Sequence, residues 1–226
     1  MSTTMPCSLP PADRRAGWGT RLDHVAEEVL DVFQDRFFWH RISDIANANQ
    51  VVRDNPFVPS LIGTLFYRRA IVALRTVVDA GQRGREHETD SLVTVLNDII
   101  AHPQDLVVDA YTGMQMVGAN IIDLAAIRAD VARLKQTAAA IKRYSNQYIT
   151  HLARSPNASV LRVEEIEAAI DLVGEMLQKY MLLITGKDLE METRVLFDWT
   201  ASLTVAWLPP HNSEVLKANG CLPEAS

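Results

Sequence analysis

Between residues 122 and 153 apolar side chains fall at Leu124, Ile127, Val131, Leu134, Ala138 and Ile141, then at Tyr148 and Leu152. These alternating steps of three and four keep one side of a long helix apolar, and such a side is satisfied only by packing against other helices. One step of the seam falls on Ser145, a polar residue where an apolar one is expected. Ser155-Pro156-Asn157 ends the pattern.

The rest of the chain reads as helices to surround that one. Leu22, Val25, Val29 and Val32 recur at helical spacing after Thr20, the expected N-cap, and the helix is expected to run to about Ala48. Asn55-Pro56 then ends or bends the chain. Over 58–79, Leu61, Leu65, Ile71, Val72, Leu74 and Val78 cover more than one stripe, which predicts a central, buried helix interrupted by Arg68, Arg69 and Arg75. Those arginines either snorkel and pair with carboxylates or face a ligand. Asp90 is expected to cap a short helix through Ile100. Residues 104–120 suggest a helix that breaks near Gly118. Ile166, Ile170, Val173, Leu177, Tyr180 and Ile184 form the stripe of a last long helix, from about Val163 to Thr185, with Gly186 as its stop. A weaker helical pattern covers 190–207. The expected organisation is a mobile arm over 1–19, one bundle over 20–208 and a tail over 209–226. The expected fold is all-α, an antiparallel bundle of about five main helices with short extra ones.

With 48% apolar residues among 226, a sizeable core can form. A formal charge of −6 argues against a general binder of nucleic acid or anionic membranes. Cys7 and Cys221 make a poor disulfide framework and suggest free thiols in a reducing cytoplasm. No signal-peptide order and no unbroken apolar run of spanning length is seen, so no membrane is expected. Glycine-rich phosphate loops, paired Cys-x-x-Cys, His-Glu-x-x-His and Gly-x-Ser-x-Gly are absent. Chemistry in such a chain comes from side chains on facing helices.

Two acid–histidine groupings invite a metal and have plainer readings. Glu86-His87-Glu88 are adjacent, so they cannot all face one point, and a solvated loop suits them better. Asp98 and His102 are one turn apart. A histidine at the negative end of a helix before Pro103 is the preferred account of that pair. No cofactor is expected.

The charge distribution singles out the end of the long seam. From Val131 to Val163 there are six basic residues and no acidic one: Arg133, Lys135, Lys142, Arg143, Arg154 and Arg162. With the whole chain at −6, those six leave the remainder at −12. The strip is either a polyanion site or a solvated face paired with Glu164 to Glu167. His151 lies among these cations. Arg143, Gln147 and His151 are spaced by four, and Arg143 lies about 12 Å along the axis from His151. Side chains lean toward the helix N-terminus, which takes Arg143 away from His151 within one chain. A site completed by a second protomer is therefore geometrically easier.

Tyr144-Ser145-Asn146-Gln147-Tyr148-Ile149-Thr150-His151-Leu152 resembles the signature of the HEPN superfamily, most closely its abortive-infection AbiU-like branch. The pattern there is tyrosine, arginine, a polar residue, spacers and histidine, late in a long helix. The helix ending in Val77-Val78-Asp79, the short helix from Asp90 and the closing helix up to Gly186 are similar to that branch, over roughly residues 20–200. The resemblance implies a HEPN-like bundle and metal-independent RNA cleavage by a homodimer in a toxin or phage-defence system, with an antitoxin protein as a candidate partner. It implies His151 as the acid–base residue and Asn146 as the orienting polar group. Ser145 stands where the family has arginine, so Arg143 or Arg154 is the candidate cation. Ser145, Tyr148, Lys142 and Arg154 are the candidate substrate contacts. The alternative is a non-catalytic bundle that binds a partner protein or nucleotide, which Ser145 favours.

Overall fold

Trp18 sets the position of the longest helix. In the computed structural model of the protein, which describes residues 11–54, 56–79, 90–106, 123–146 and 161–191, this indole is buried and its N–H donates to Asp98 Oδ2 at 2.6 Å. Helix α1 spans Pro11–Ala48, 38 residues and about 57 Å. It therefore begins at Pro11 and not at Thr20, whose hydroxyl instead donates to the Ala16 carbonyl inside the helix at 3.2 Å. Proline suits a first turn because its missing N–H has no helical partner there. Trp18, Leu22, Val25, Ala26, Val29 and Val32 form the buried side of α1. Residues 11–19 are thus part of the bundle rather than an arm.

The short α2, Gln50–Asp54, follows, and α3 covers Phe57–Val78. α3 runs antiparallel to α1: Arg69 pairs with Asp31 and Asp35, while Gly63, nearer its start, lies under Trp39. A Cβ at Gly63 would come within 2.7 Å of the Trp39 ring, so the close approach of α1 and α3 requires glycine. Helix α4, Leu92–Ala101, is capped by Ser91, whose hydroxyl accepts from Thr94 N–H at 3.1 Å. Asp90, the expected cap, pairs instead with Arg21 and His24 of α1. A 3-10 turn, Pro103–Leu106, follows His102.

Helix α5, Leu124–Tyr144, starts at Asp123, whose carboxylate accepts from Ala125 N–H at 2.8 Å. Ile127, Val131, Leu134 and Ile141 of its seam are buried, and Leu124 and Ala138 are half-buried. Helix α6, Val163–Thr185, buries Ile166, Ile170, Val173, Leu177, Tyr180 and Ile184, the expected stripe. Gly186 ends it with φ 71°, a left-handed cap that glycine adopts without strain. α6 is antiparallel to α1: Arg15 reaches the Ile184 carbonyl at 3.2 Å, Phe33 packs on Gly174, and Arg36 meets Asp171 at 2.5 Å.

The described residues form an all-α bundle with no strand among them. By compactness the chain divides between Glu192 and Thr193, not at residue 208, and every described residue lies in the first unit. α3 differs from its expected place. Gly63, Phe66, Ala70, Ile71, Ala73, Leu74, Val77 and Val78 are buried, but Leu61, Leu65 and Val72 face outward. Length and composition would allow α3 to cross a membrane, yet one side of it is built into the core.

Candidate functional site

The C-terminal ends of α3 and α5 meet. Lys142 Nζ donates to Asp79 Oδ1 at 2.8 Å, and Arg75 Nη1 lies 3.4 Å from Ser145 Oγ. Asp79 closes α3, its N–H donating to the Arg75 carbonyl at 2.8 Å. Beyond Tyr144 the helix of α5 widens to a π-type turn at Ser145 and Asn146, a local geometry often found at functional positions.

Ser145 occupies the seam step that sequence spacing assigned to it and is 1% exposed. The helix can bury this hydroxyl because the Arg75 guanidinium supplies a donor to it. Ser145 is therefore an interior group and not a substrate contact, since a phosphate cannot reach a hydroxyl enclosed in this way. Asn146 is half-buried beside it, and Arg143 is exposed. Lys142 is exposed but offset by Asp79. His151, Tyr148 and Arg154 lie outside the described residues, as do Glu86, His87, Glu88 and Gln147.

The basic strip is only partly compensated. Arg133 approaches Asp130 at 4.0 Å, and Lys142 has Asp79. Lys135 and Arg143 have no acidic partner among the described residues. Two of the α6 glutamates are committed elsewhere: Glu165 accepts from Arg162 N–H at 2.8 Å, and Glu167 faces Arg36, His40 and Tyr67. Glu165 and Glu167 thus make no ion pair with the described cations of the strip.

Three further polar groupings are structural. Asp130 of α5 is buried, and its Oδ2 accepts from Tyr180 Oη at 2.8 Å and Lys179 Nζ at 2.6 Å. Burial pushes its pKa up, but the Lys179 and Tyr180 hydrogen bonds and the Lys179 and Arg133 charges outweigh that and hold it below the usual carboxylate range. Burial and the Asp130 carboxylate push the Tyr180 phenol well up. Sequence spacing did not find this pair, and the available signal was one acid, Asp130, directly beside the seam residue Val131. Tyr67 donates to Glu167 at 3.3 Å and accepts from Trp39 Nε1 at 3.2 Å, and burial raises its pKa.

The third grouping is at Asp98 and His102. Asp98 Oδ2 is taken by Trp18 and neighbours Arg21, while Oδ1 faces His102 Nδ1 at 3.2 Å. His102 is the C-cap of α4, in keeping with the histidine-at-a-helix-end reading. Among the described residues no group of three or more metal-ligating side chains is assembled. Nearby, the Asp90 hydrogen bond raises the exposed His24 above its ordinary 6.5. A void of about 10 Å³ between α1, α3 and α6, lined by Val29, Leu74 and Val173 among others, is apolar and too small for a ligand.

Comparison with family models, with curated proteins and with solved structures returns no match.

Proposed function

We propose that the chain is a metal-independent endoribonuclease of the toxin or phage-defence kind, working as a homodimer in the cytoplasm, with an antitoxin protein as its regulator. The observation that carries the reading is Arg75. In the HEPN-type pattern that residues 144–152 resemble, a cation stands at the position of Ser145; here a guanidinium from α3 lies against that serine, 70 residues away in sequence. Arg143, with no acidic partner among the described residues, lies two residues before Ser145 on α5.

In this reading His151 takes the proton of a ribose 2′-hydroxyl, and the 2′-oxygen attacks the adjacent phosphorus. The bond to the next nucleotide's 5′-oxygen breaks, and that oxygen leaves with a proton drawn from an acid or from water. Arg143 or Arg154, with Arg75 behind them, offsets charge on the phosphate. Asn146 orients the histidine or the phosphate, and Lys142 and Tyr148 border the substrate.

The test is cleavage of a mixed RNA substrate by the purified protein with and without a chelator. His151→Ala is expected to lower the rate about 10²–10⁴-fold, with chelator making no difference. Cleavage unchanged in that variant sinks the assignment.

One observation favours a second reading, a non-catalytic bundle that binds a partner: Ser145 is interior. The exchange Arg75→Ser with Ser145→Arg keeps one guanidinium at the corner and separates the two. Gained cleavage indicates a decayed nuclease, and no gain indicates a binding role.

A further inference from the structure

On the outer side of α3, Val58, Leu61, Leu65, Arg68 and Val72 recur in steps of three, four, three and four. That is the spacing of a two-helix seam. The apolar members are exposed: Val58 51%, Leu61 47%, Leu65 57% and Val72 45%, with Phe57 at 70% beyond them. The opposite side of α3 is already spent on the core through Phe66, Ala70, Leu74 and Val77. A helix that is apolar on both sides has a partner for each.

The charges beside the seam indicate which partner. Arg68 is exposed and makes no ion pair among the described residues. Its neighbour Arg69 leans to the α1 edge of the seam, where one guanidinium faces two carboxylates, Asp31 and Asp35. One negative charge is left over there. Successive helical residues are about 100° apart, so Arg68 lies on the other edge of the seam. A twofold axis parallel to α3 sets the α1 edge of one copy against the opposite edge of its neighbour. The unpaired cation of each copy then meets the surplus carboxylate of the other, at the same height along the helix, and the two Arg68 side chains lie on opposite sides of the seam.

We propose that the outer face of α3 is a dimer interface, pairing in parallel with α3 of a second copy, with Arg68 reaching Asp31 and Asp35 across it. A second copy brings a seam of identical spacing, which an arbitrary helix does not. A lipid surface suits the face poorly, because Arg68 lies within the stripe and Arg69, Asp31 and Asp35 border it. The inference uses no residue of the proposed nuclease site; a monomeric wild type counts against both it and the homodimeric nuclease, whereas a dimer without cleavage counts against the nuclease alone.

Light scattering and sedimentation of the full chain at high micromolar concentration test this. The wild type is expected to be a dimer, and Leu65→Asp a monomer with unchanged helical circular dichroism. Arg68→Ala is expected to weaken association about tenfold or more and to flatten its dependence on salt. If Leu65→Asp loses helicity, the milder Leu61→Ser with Val72→Ser takes its place, with the same expectation. A monomeric wild type, or a dimer that survives these seam substitutions, overturns the proposal. RNA cleavage is read on the same samples, and its absence from a wild-type dimer counts against the nuclease while leaving this interface standing.

Discussion

Asp130 is held in the interior by two donors, and one of them, the buried Tyr180 hydroxyl, would be stranded without it. Asp130→Ala leaves the Tyr180 hydroxyl buried without its acceptor and Lys179 without its counter-ion. The expected loss is about 1–3 kcal/mol, read as a lower urea midpoint with unchanged slope. Its pH dependence has a definite sign. A carboxylate whose folded pKa is depressed contributes stability that is fully present above its unfolded value, about 3.9, and is lost as pH falls through the lower folded value. The wild type is therefore expected to lose stability across that acid window more steeply than Asp130→Asn does, in urea titrations repeated from neutral pH downward. A single acid off the seam gave periodicity nothing to detect. The Arg75–Ser145 contact was equally hidden, because residues 70 apart in sequence come together only when α3 and α5 pack.

At the level of whole elements, legibility follows how one-sided each helix is. α6 has a broad apolar stripe, first-turn acids and a glycine stop; its observed bounds are those its spacing predicts, and all six expected stripe residues are buried, with Ala169, Gly174, Met176 and Met181 widening the buried side. The α5 seam is equally one-sided, down to its one polar step at Ser145. α3 is two-sided, and spacing alone cannot tell a helix buried all round from one with its second stripe facing outward. The start of α1 was concealed by Pro10, Pro11, Gly17 and Gly19, which read as loop, although Trp18 and Leu22 already stand four apart on the buried side. The fit of α1 to α3 depends on Gly63 under Trp39. Gly63→Ala is expected to cost about 1–3 kcal/mol by overpacking, measured by thermal or urea unfolding, and adding Trp39→Phe should recover part of the loss.

Taken as one body, the bundle is closed by the amino end of α1. Trp18 reaches α4 through Asp98, Arg15 covers a terminal carbonyl of α6, and Arg14 pairs with Asp105 of the 3-10 turn. Removing residues 11–19 therefore loosens three elements together. Trp18→Ala is expected to cost about 3–5 kcal/mol, with unfolding still a single transition by circular dichroism and by near-ultraviolet signal. Two midpoints in that variant would show that the amino end of α1 melts by itself. The architecture could be read from the chain because helix packing is written in local spacing. The candidate corner could be read along α5 only as far as Asn146, and its third dimension, the guanidinium brought in by α3, is written in no local pattern.

The burial of Trp18 also gives the protein its own optical probe. An indole enclosed by aliphatic groups and bonded to one carboxylate emits at shorter wavelength than one in water, and the carboxylate lies close enough to alter its yield. The protein has three further tryptophans, Trp39, Trp199 and Trp207. With these replaced by phenylalanine, any event that pries the first turns of α1 from α4 will show as a red shift in a spectrum that needs no label.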